Sequence, residues 1–166
     1  VVDGGAFACE LTAGCEFVAE GVAFADNLVY GPYMAVGGAI SFLTASDVTV
    51  DTCTFAGNES FCTTAGSASW LGGALLAAGA DTTILNSTFR GSNIEAVALV
   101  GGTAGITNCV VVGNGDTLED LLFNGCTVTM AYTAYNDAYV NATTLDATHC
   151  LAGRTEAIYA GDTLRL

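Results

Sequence analysis

Short runs in which apolar and polar residues alternate recur along the chain, and the clearest runs end near a glycine or an asparagine. Alternation with a period of two is typical of a β-strand with one buried face, whereas a helix repeats its apolar positions every three or four residues. The runs are rich in valine, isoleucine and threonine, which favour strands. The pattern therefore predicts an all-β chain of short strands. Four copies cover residues 49–58, 84–93, 106–114 and 128–136.

These copies are too short to form a core alone. A unit of this length cannot bury its own apolar face, so it must stack on copies of itself, as the repeats of a solenoid do. Asparagines near the ends of successive copies are 31, 35, 21 and 22 residues apart. They are Asn27, Asn58, Asn93, Asn114 and Asn136. We predict one solenoid domain over residues 1–166, part of a larger protein, with about six coils of roughly 22 residues. The longer intervals carry insertions, placed at residues 28–35 and 59–71.

Alternation also assigns residues to the inside or the outside of the stack. The residues predicted to point inward are Val50, Cys53, Phe55, Ile84, Phe89, Ile106, Cys109 and Val111. The polar residue between the first two inward positions is Thr52, Asn86 or Asn108, and we expect it at a corner between two sheets. Stacked asparagines at such a corner bond one another and nearby backbone. We therefore expect Asn86 to be a buried ladder residue rather than a glycan site.

Two further phrases carry a family resemblance. The motif Gly-Gly-Ala-Ile occupies residues 37–40, with Gly-Gly-Ala-Leu at residues 72–75, and Phe-x-x-Asn occupies residues 24–27 and 55–58. Over residues 22–137 the chain resembles the repeat of the polymorphic outer-membrane proteins. The resemblance implies a right-handed parallel β-helix exposed at the cell surface, an adhesive role and no catalytic residues. The paired glycines are expected to turn the backbone at positive φ.

The charge balance narrows the choice of partner. The chain has 17 acidic residues against three arginines and no lysine, for a net charge of −14. This balance argues against nucleic acids and anionic lipids, which need a basic patch. Surface carboxylates could capture divalent cations weakly, although none has the spacing of a calcium loop. Apolar residues make up 52% of the chain, but glycines and polar residues interrupt them, so we predict no membrane insertion.

Seven cysteines and three glycosylation triplets favour an extracellular or cell-surface location. No cysteine lies in a Cys-x-x-Cys pair, which disfavours zinc and thiol-redox sites. The candidate disulfides are Cys9–Cys15, Cys53–Cys62 and Cys126–Cys150. Cys109 is then left as a buried thiol, and Cys53 and Cys109 should not pair because two rungs separate them. The candidate glycosylation sites are Asn58 and Asn141.

Residues able to carry catalysis are sparse and scattered. The only histidine is His149, Arg90 is the one basic residue within the repeats, and Glu119-Asp120 is the nearest approach to a carboxylate pair. We predict no catalytic, cofactor or metal site, with Glu119-Asp120 capping or solvating a turn. Cys150, beside His149, is expected to be half of a disulfide rather than a nucleophile.

Aromatic residues and threonines leave two other readings open. Trp70, Tyr30 and Tyr33 fall in the insertions, where they could stack on sugars, dock a partner or cover an edge of the core. An ice-binding or surface-binding role would need a flat threonine array, and Thr54, Thr88 and Thr127 do not align clearly enough in the sequence. The function expected is a non-catalytic, extracellular structural or adhesive module. Its partners would be other coils or subunits of the same assembly, or cell-surface molecules. The alternative is a carbohydrate-active β-helix whose catalytic coils lie outside this segment.

Overall fold

The computed structural model describes residues 2–9, 15–43, 46–63, 69–115, 119–141 and 144–153. Every regular element within these ranges is a β-strand, and every strand pairing is parallel. The prediction of an all-β chain is confirmed, and the arrangement is consistent with a parallel β-solenoid.

Three sheets run along the stack. Sheet I contains β2 (Phe7–Cys9), β7 (Ile40–Phe42), β12 (Leu75–Ala78), β15 (Val97–Val100), β18 (Leu121–Asn124) and β21 (Ala138–Asn141). Sheet II contains β3 (Cys15–Glu20), β8 (Ser46–Asp51), β13 (Asp81–Leu85), β16 (Thr103–Thr107), β19 (Thr127–Ala131) and β22 (Thr144–Thr148). Sheet III contains β4 (Ala23–Ala25), β9 (Thr54–Ala56), β14 (Thr88–Arg90), β17 (Val110–Val111) and β20 (Ala134–Tyr135).

The register repeats once per coil. Along sheet III, Ala23 pairs with Thr54, Thr54 with Thr88, Thr88 with Val110 and Val110 with Ala134, so the steps are 31, 34, 22 and 24 residues. A final step of 17 residues joins Ala134 to Leu151. The predicted spacing of roughly 22 residues therefore describes the third and fourth steps. The first two are lengthened by the insertions, as expected, and the last step is shorter.

A single apolar cluster draws side chains from all three sheets. All eight residues predicted to point inward are buried. Phe24, Phe55 and Phe89 occupy one column of sheet III, and their rings stack with centroids 4.7 Å and 4.4 Å apart. Aromatic stacking of this kind adds to the burial energy, so the column ties three successive coils together.

The two insertions build a second layer. They form a flap sheet of β1 (Val2–Asp3), β6 (Met34–Val36) and β11 (Ser69–Leu71), and a separate pair of β5 (Leu28–Gly31) and β10 (Glu59–Cys62). Val36 of the flap sheet packs in an apolar cluster with Leu76 and Ala98 of sheet I. Leu76 and Ala98 alternate with the inward residues of their strands, yet both are buried. The insertions therefore cover part of the face of sheet I that points away from the main core.

Paired glycines form the turns that lead into sheet I. Gly37 and Gly72 have φ of 62° and 64°, which confirms the expected left-handed turn. The second glycine of each pair is needed for a different reason: a Cβ on Gly38 would lie 2.0 Å from the carbonyl oxygen of Gly73. Gly4, with φ of 58°, begins a third copy of the motif that the sequence analysis missed, because phenylalanine replaces its isoleucine.

Candidate functional site

One corner of the stack is a column of residues in the left-handed conformation, each directly after a strand of sheet II. The column contains Gly21, Thr52, Asn86, Asn108, Tyr132 and His149. Asn86 Nδ2 donates to Asp51 Oδ1 at 2.9 Å, and Asn108 Nδ2 donates to Asn86 Oδ1 at 2.8 Å. These bonds confirm the asparagine ladder. Asn86 is exposed, however, so the expectation that it is buried was wrong, because this corner faces solvent.

The ladder perturbs one acid and engages the only histidine. The bond from Asn86, aided by Thr52, holds the pKa of Asp51 below its usual value. At the far end of the column the His149 ring stacks on Tyr132, with centroids 4.9 Å apart and an angle of 9° between the planes. Arg90 lies on sheet III, in another coil. The structure therefore does not bring the two candidate catalytic residues together.

A second corner explains the Phe-x-x-Asn motif. Asn58 Oδ1 accepts from the backbone N–H of Asn27 at 3.1 Å, while its Nδ2 donates to the carbonyl of Phe24 at 2.9 Å. Asn114 makes the same two bonds to the previous coil, with Ser92 N–H at 3.1 Å and the Phe89 carbonyl at 3.2 Å. The asparagine is thus a strut between coils.

This role corrects two sequence predictions. Asn58 has no exposed surface and its amide is fully used, so it is not an accessible glycosylation site in the folded chain. The register places Ser92, not Asn93, opposite Asn114, so Asn93 was a poor marker of the coil spacing. Asn141 is exposed as expected, and its amide donates to Asn124 Oδ1 at 2.9 Å. The remainder of its glycosylation triplet, residues 142–143, lies outside the described residues.

Two carboxylates are buried in the walls of the stack. Asp120 accepts the backbone N–H of Asn114 at 3.1 Å and of Asn136 at 2.7 Å, so it caps a turn as predicted, although it is not solvated. Glu95 accepts the backbone N–H of Gly72 at 3.1 Å. Burial raises the pKa of both acids, and the hydrogen bonds oppose that rise. Each carboxylate is therefore held by backbone donors within the fold.

The cysteine predictions fail where the structure describes both partners. Cys53, Cys62, Cys126 and Cys150 all carry free thiols. Cys126 immediately precedes β19, whereas Cys150 follows β22, so they lie at opposite ends of neighbouring strands in sheet II. Five residues of strand span about 17 Å, far more than a disulfide allows. The side chain of Cys15 lies outside the described residues, so the Cys9–Cys15 pair stays a prediction.

A different separation rules out the Cys53–Cys62 bridge. The thiol of Cys53 points into the core and donates to the Asp51 carbonyl at 3.2 Å, while Cys62 ends β10 outside the three main sheets. Cys109 occupies the same repeat position two rungs away and makes the equivalent bond to Thr107 at 3.2 Å. The column also holds Ser87, whose hydroxyl accepts from Cys53 N–H at 3.0 Å. These cysteines serve as small core residues with a weak donor.

The outward face of sheet II presents threonines in straight columns. The threonines of this face are Thr49, Thr83, Thr103, Thr107, Thr127, Thr129, Thr144 and Thr148. Aspartates interrupt the columns at Asp47, Asp51, Asp81 and Asp146. Of the threonines weighed from the sequence, Thr127 belongs to this face, while Thr54 and Thr88 lie on sheet III. The sequence analysis missed the array because it compared positions from different sheets.

Other surface features are fewer. Tyr30 and Tyr33 are exposed by 64% and 68%, so they do not cover the core, while the side chain of Trp70 lies outside the described residues. Among the described residues no three histidine, cysteine, aspartate or glutamate side chains are grouped to hold a metal ion. Nor does the described part of the chain contain a helix long and apolar enough to span a bilayer. No family model, curated protein or solved structure matches the chain.

Proposed function

We propose that the chain is a non-catalytic structural or adhesive module of an extracellular or cell-surface protein or filament. The observation that carries the proposal is the threonine face of sheet II. Its three columns follow the rung spacing of about 4.8 Å along the stack and about 6.7 Å along each strand. A flat surface of small hydroxyl groups, repeated over several coils, is suited to an extended partner rather than to a small reacting molecule.

The proposed architecture is a right-handed parallel β-helix of about six coils, the fold that the resemblance to the polymorphic outer-membrane proteins implies. In coil after coil the chain passes from sheet I to sheet II to sheet III and then returns to sheet I, as in the order β7, β8, β9, β12. Connections between parallel strands are right-handed in nearly all known cases. This general rule supports the handedness.

The proposed partners are further coils or subunits of the same assembly, or molecules of a cell surface. Strands β3 and β22 lie at the two edges of sheet II within the described residues, and each has one unpaired backbone edge. Val18 on β3 is 60% exposed. Open edges of parallel sheets recruit other strands unless they are covered, which supports continued stacking. The net charge of −14 disfavours nucleic acid and anionic lipid.

Adhesion can be tested with beads that carry the purified chain. Thr129→Lys places a long charged side chain on the threonine face, and we expect it to abolish bead attachment to cells. The matched control is Thr54→Lys, because Thr54 is also an exposed strand threonine but lies on sheet III. Equal attachment by the two variants would contradict the proposal.

The non-catalytic part needs a separate assay. We expect no turnover of neutral or acidic polysaccharides, followed as release of reducing ends or of unsaturated products. His149→Ala and Arg90→Ala should leave the properties of the chain nearly unchanged. Turnover that disappears in either variant would establish an enzyme and overturn the assignment.

A further inference from the structure

A cleft of about 480 Å³ opens where the second insertion leaves the stack. One wall is β10, which contributes Glu59 and Phe61, and the other is the backbone around Ser92 and three glycines of the next coils. β10 pairs with β5 along one edge only. Its other edge is held by Asn93, whose Oδ1 accepts from the Ser60 N–H at 3.0 Å and whose Nδ2 donates to the Ser60 carbonyl at 2.8 Å. The cleft is therefore a braced gap between two coils.

An unsatisfied hydroxyl marks this gap. Ser92 lines the cleft and is only 5% exposed, yet its Oγ has no hydrogen-bond partner. Ser92 occupies the column position that asparagine fills at Asn58 and Asn114, and those amides reach the neighbouring coil. Serine is too short to do so. A buried polar group without a partner is costly and rare, and it calls for a ligand, an ion or a water.

The lining indicates the chemistry of the ligand. Glu59 and Phe61 alternate with Ser60 along β10 and so share one face of the strand. A carboxylate that accepts from hydroxyl groups, an aromatic ring that packs against C–H groups and a serine hydroxyl together suit a sugar ring. The glycines Gly91, Gly113 and Gly115 leave the backbone open to close approach. The lining contains no lysine, arginine or histidine, and the chain is strongly acidic, so an acidic sugar would be repelled.

We propose that this cleft binds one or two residues of a neutral saccharide. Glu59 accepts from sugar hydroxyls, Phe61 packs against the apolar face of the ring, and Ser92 gains the partner that it lacks. The inference rests on the proposed adhesive function, to which it adds a ligand class.

The test uses the full chain labelled with ¹⁵N and titrated with glucose, galactose, mannose and N-acetylglucosamine, each at millimolar concentration, while amide shifts are recorded. We expect at least one sugar to shift amides around Ser60, Ser92 and Gly113 in a saturable manner. Ser92→Ala and Glu59→Gln should each weaken that binding roughly tenfold. Glu16→Gln is the matched control, because Glu16 is exposed on sheet II, away from the cleft.

Thermal unfolding separates a ligand contact from a structural one. Ser92→Ala removes a hydroxyl that bonds nothing, so it should leave the melting temperature equal or higher while it weakens sugar binding. No shift with any of the four sugars, shifts that survive both substitutions, or a response of the same amides to Ca²⁺ alone would overturn the saccharide site. Bead attachment that persists without sugar binding would refute only this inference. Sugar binding without bead attachment would refute the adhesive function instead.

Discussion

Replacing Asn58 with alanine tests whether the Phe-x-x-Asn motif is a strut between coils. The substitution removes the acceptor of the Asn27 N–H and the donor to the Phe24 carbonyl, so both backbone groups lose their partners. Each buried group left unpaired costs about 1–3 kcal/mol. Water reaches Asn27 and Phe24 in part, because both are half-buried, so we expect the lower part of the range. The predicted loss in the free energy of unfolding is about 2–4 kcal/mol.

Guanidinium unfolding followed by circular dichroism measures this loss from the shift of the midpoint at constant slope. Asn141→Ala is the matched control, because Asn141 is exposed and makes one side-chain bond, to Asn124. We expect the control to change the free energy of unfolding by less than about 0.5 kcal/mol. A loss below about 1 kcal/mol for Asn58→Ala, or a glycan found on Asn58 of the folded protein, would refute the reasoning.

Four further predictions concern the core, the turns, the buried acids and the thiols. Phe55→Ala empties the middle of the aromatic stack and should cost about 3–5 kcal/mol in urea unfolding; a cost near zero would place this ring outside the core. Gly38→Ala puts a Cβ 2.0 Å from a carbonyl oxygen and should lower the melting temperature sharply, whereas Gly105→Ala, with nothing within 4 Å of its Cβ, should not; equal melting temperatures would contradict the turn geometry. Burial raises the pKa of Glu95 above its unfolded value, so its stabilising contribution is complete below the unfolded pKa and is lost as the pH rises through the folded one. Glu95→Gln should therefore raise stability at neutral pH and flatten that part of the urea midpoint profile, and an unchanged profile would show that Glu95 is not the group responsible. Burial raises the pKa of Cys109 to about 11, so its thiol should resist iodoacetamide at neutral pH until the chain unfolds; rapid alkylation of the folded chain, read by mass spectrometry, would contradict this burial.

Local pattern was enough to predict the interior of the stack. Alternation placed Phe55, Phe89 and Ile106 inside, and all three are buried. The repeated polar residue after each strand of sheet II was correctly placed at a corner, where Asn86 and Asn108 bond in a ladder. These features depend on residues within one coil, or on the same position in the next coil. Period and spacing therefore carry them directly.

The candidate sites failed because they depend on which coil, and which end of a strand, a residue occupies. Asn58 reads as an exposed glycosylation triplet, yet the neighbouring coil brings Phe24 and Asn27 to its amide. Cys126 and Cys150 are close to one coil apart in sequence, but a strand length separates them. The cleft at Ser92 exists only because the insertion draws β10 away from the stack.

The sequence by itself determined the β class, the stacking of short repeats and the side of each strand that is buried, since these follow from a period of two and from glycine at positive φ. Only the tertiary structure decided which side chains of different coils meet. It set the insertions against sheet I, aligned the threonines of sheet II into one face and left Ser92 without a partner. The physical reason is that parallel stacking joins residues 17 to 34 positions apart, and insertions of variable length shift that register in ways that local periodicity does not encode.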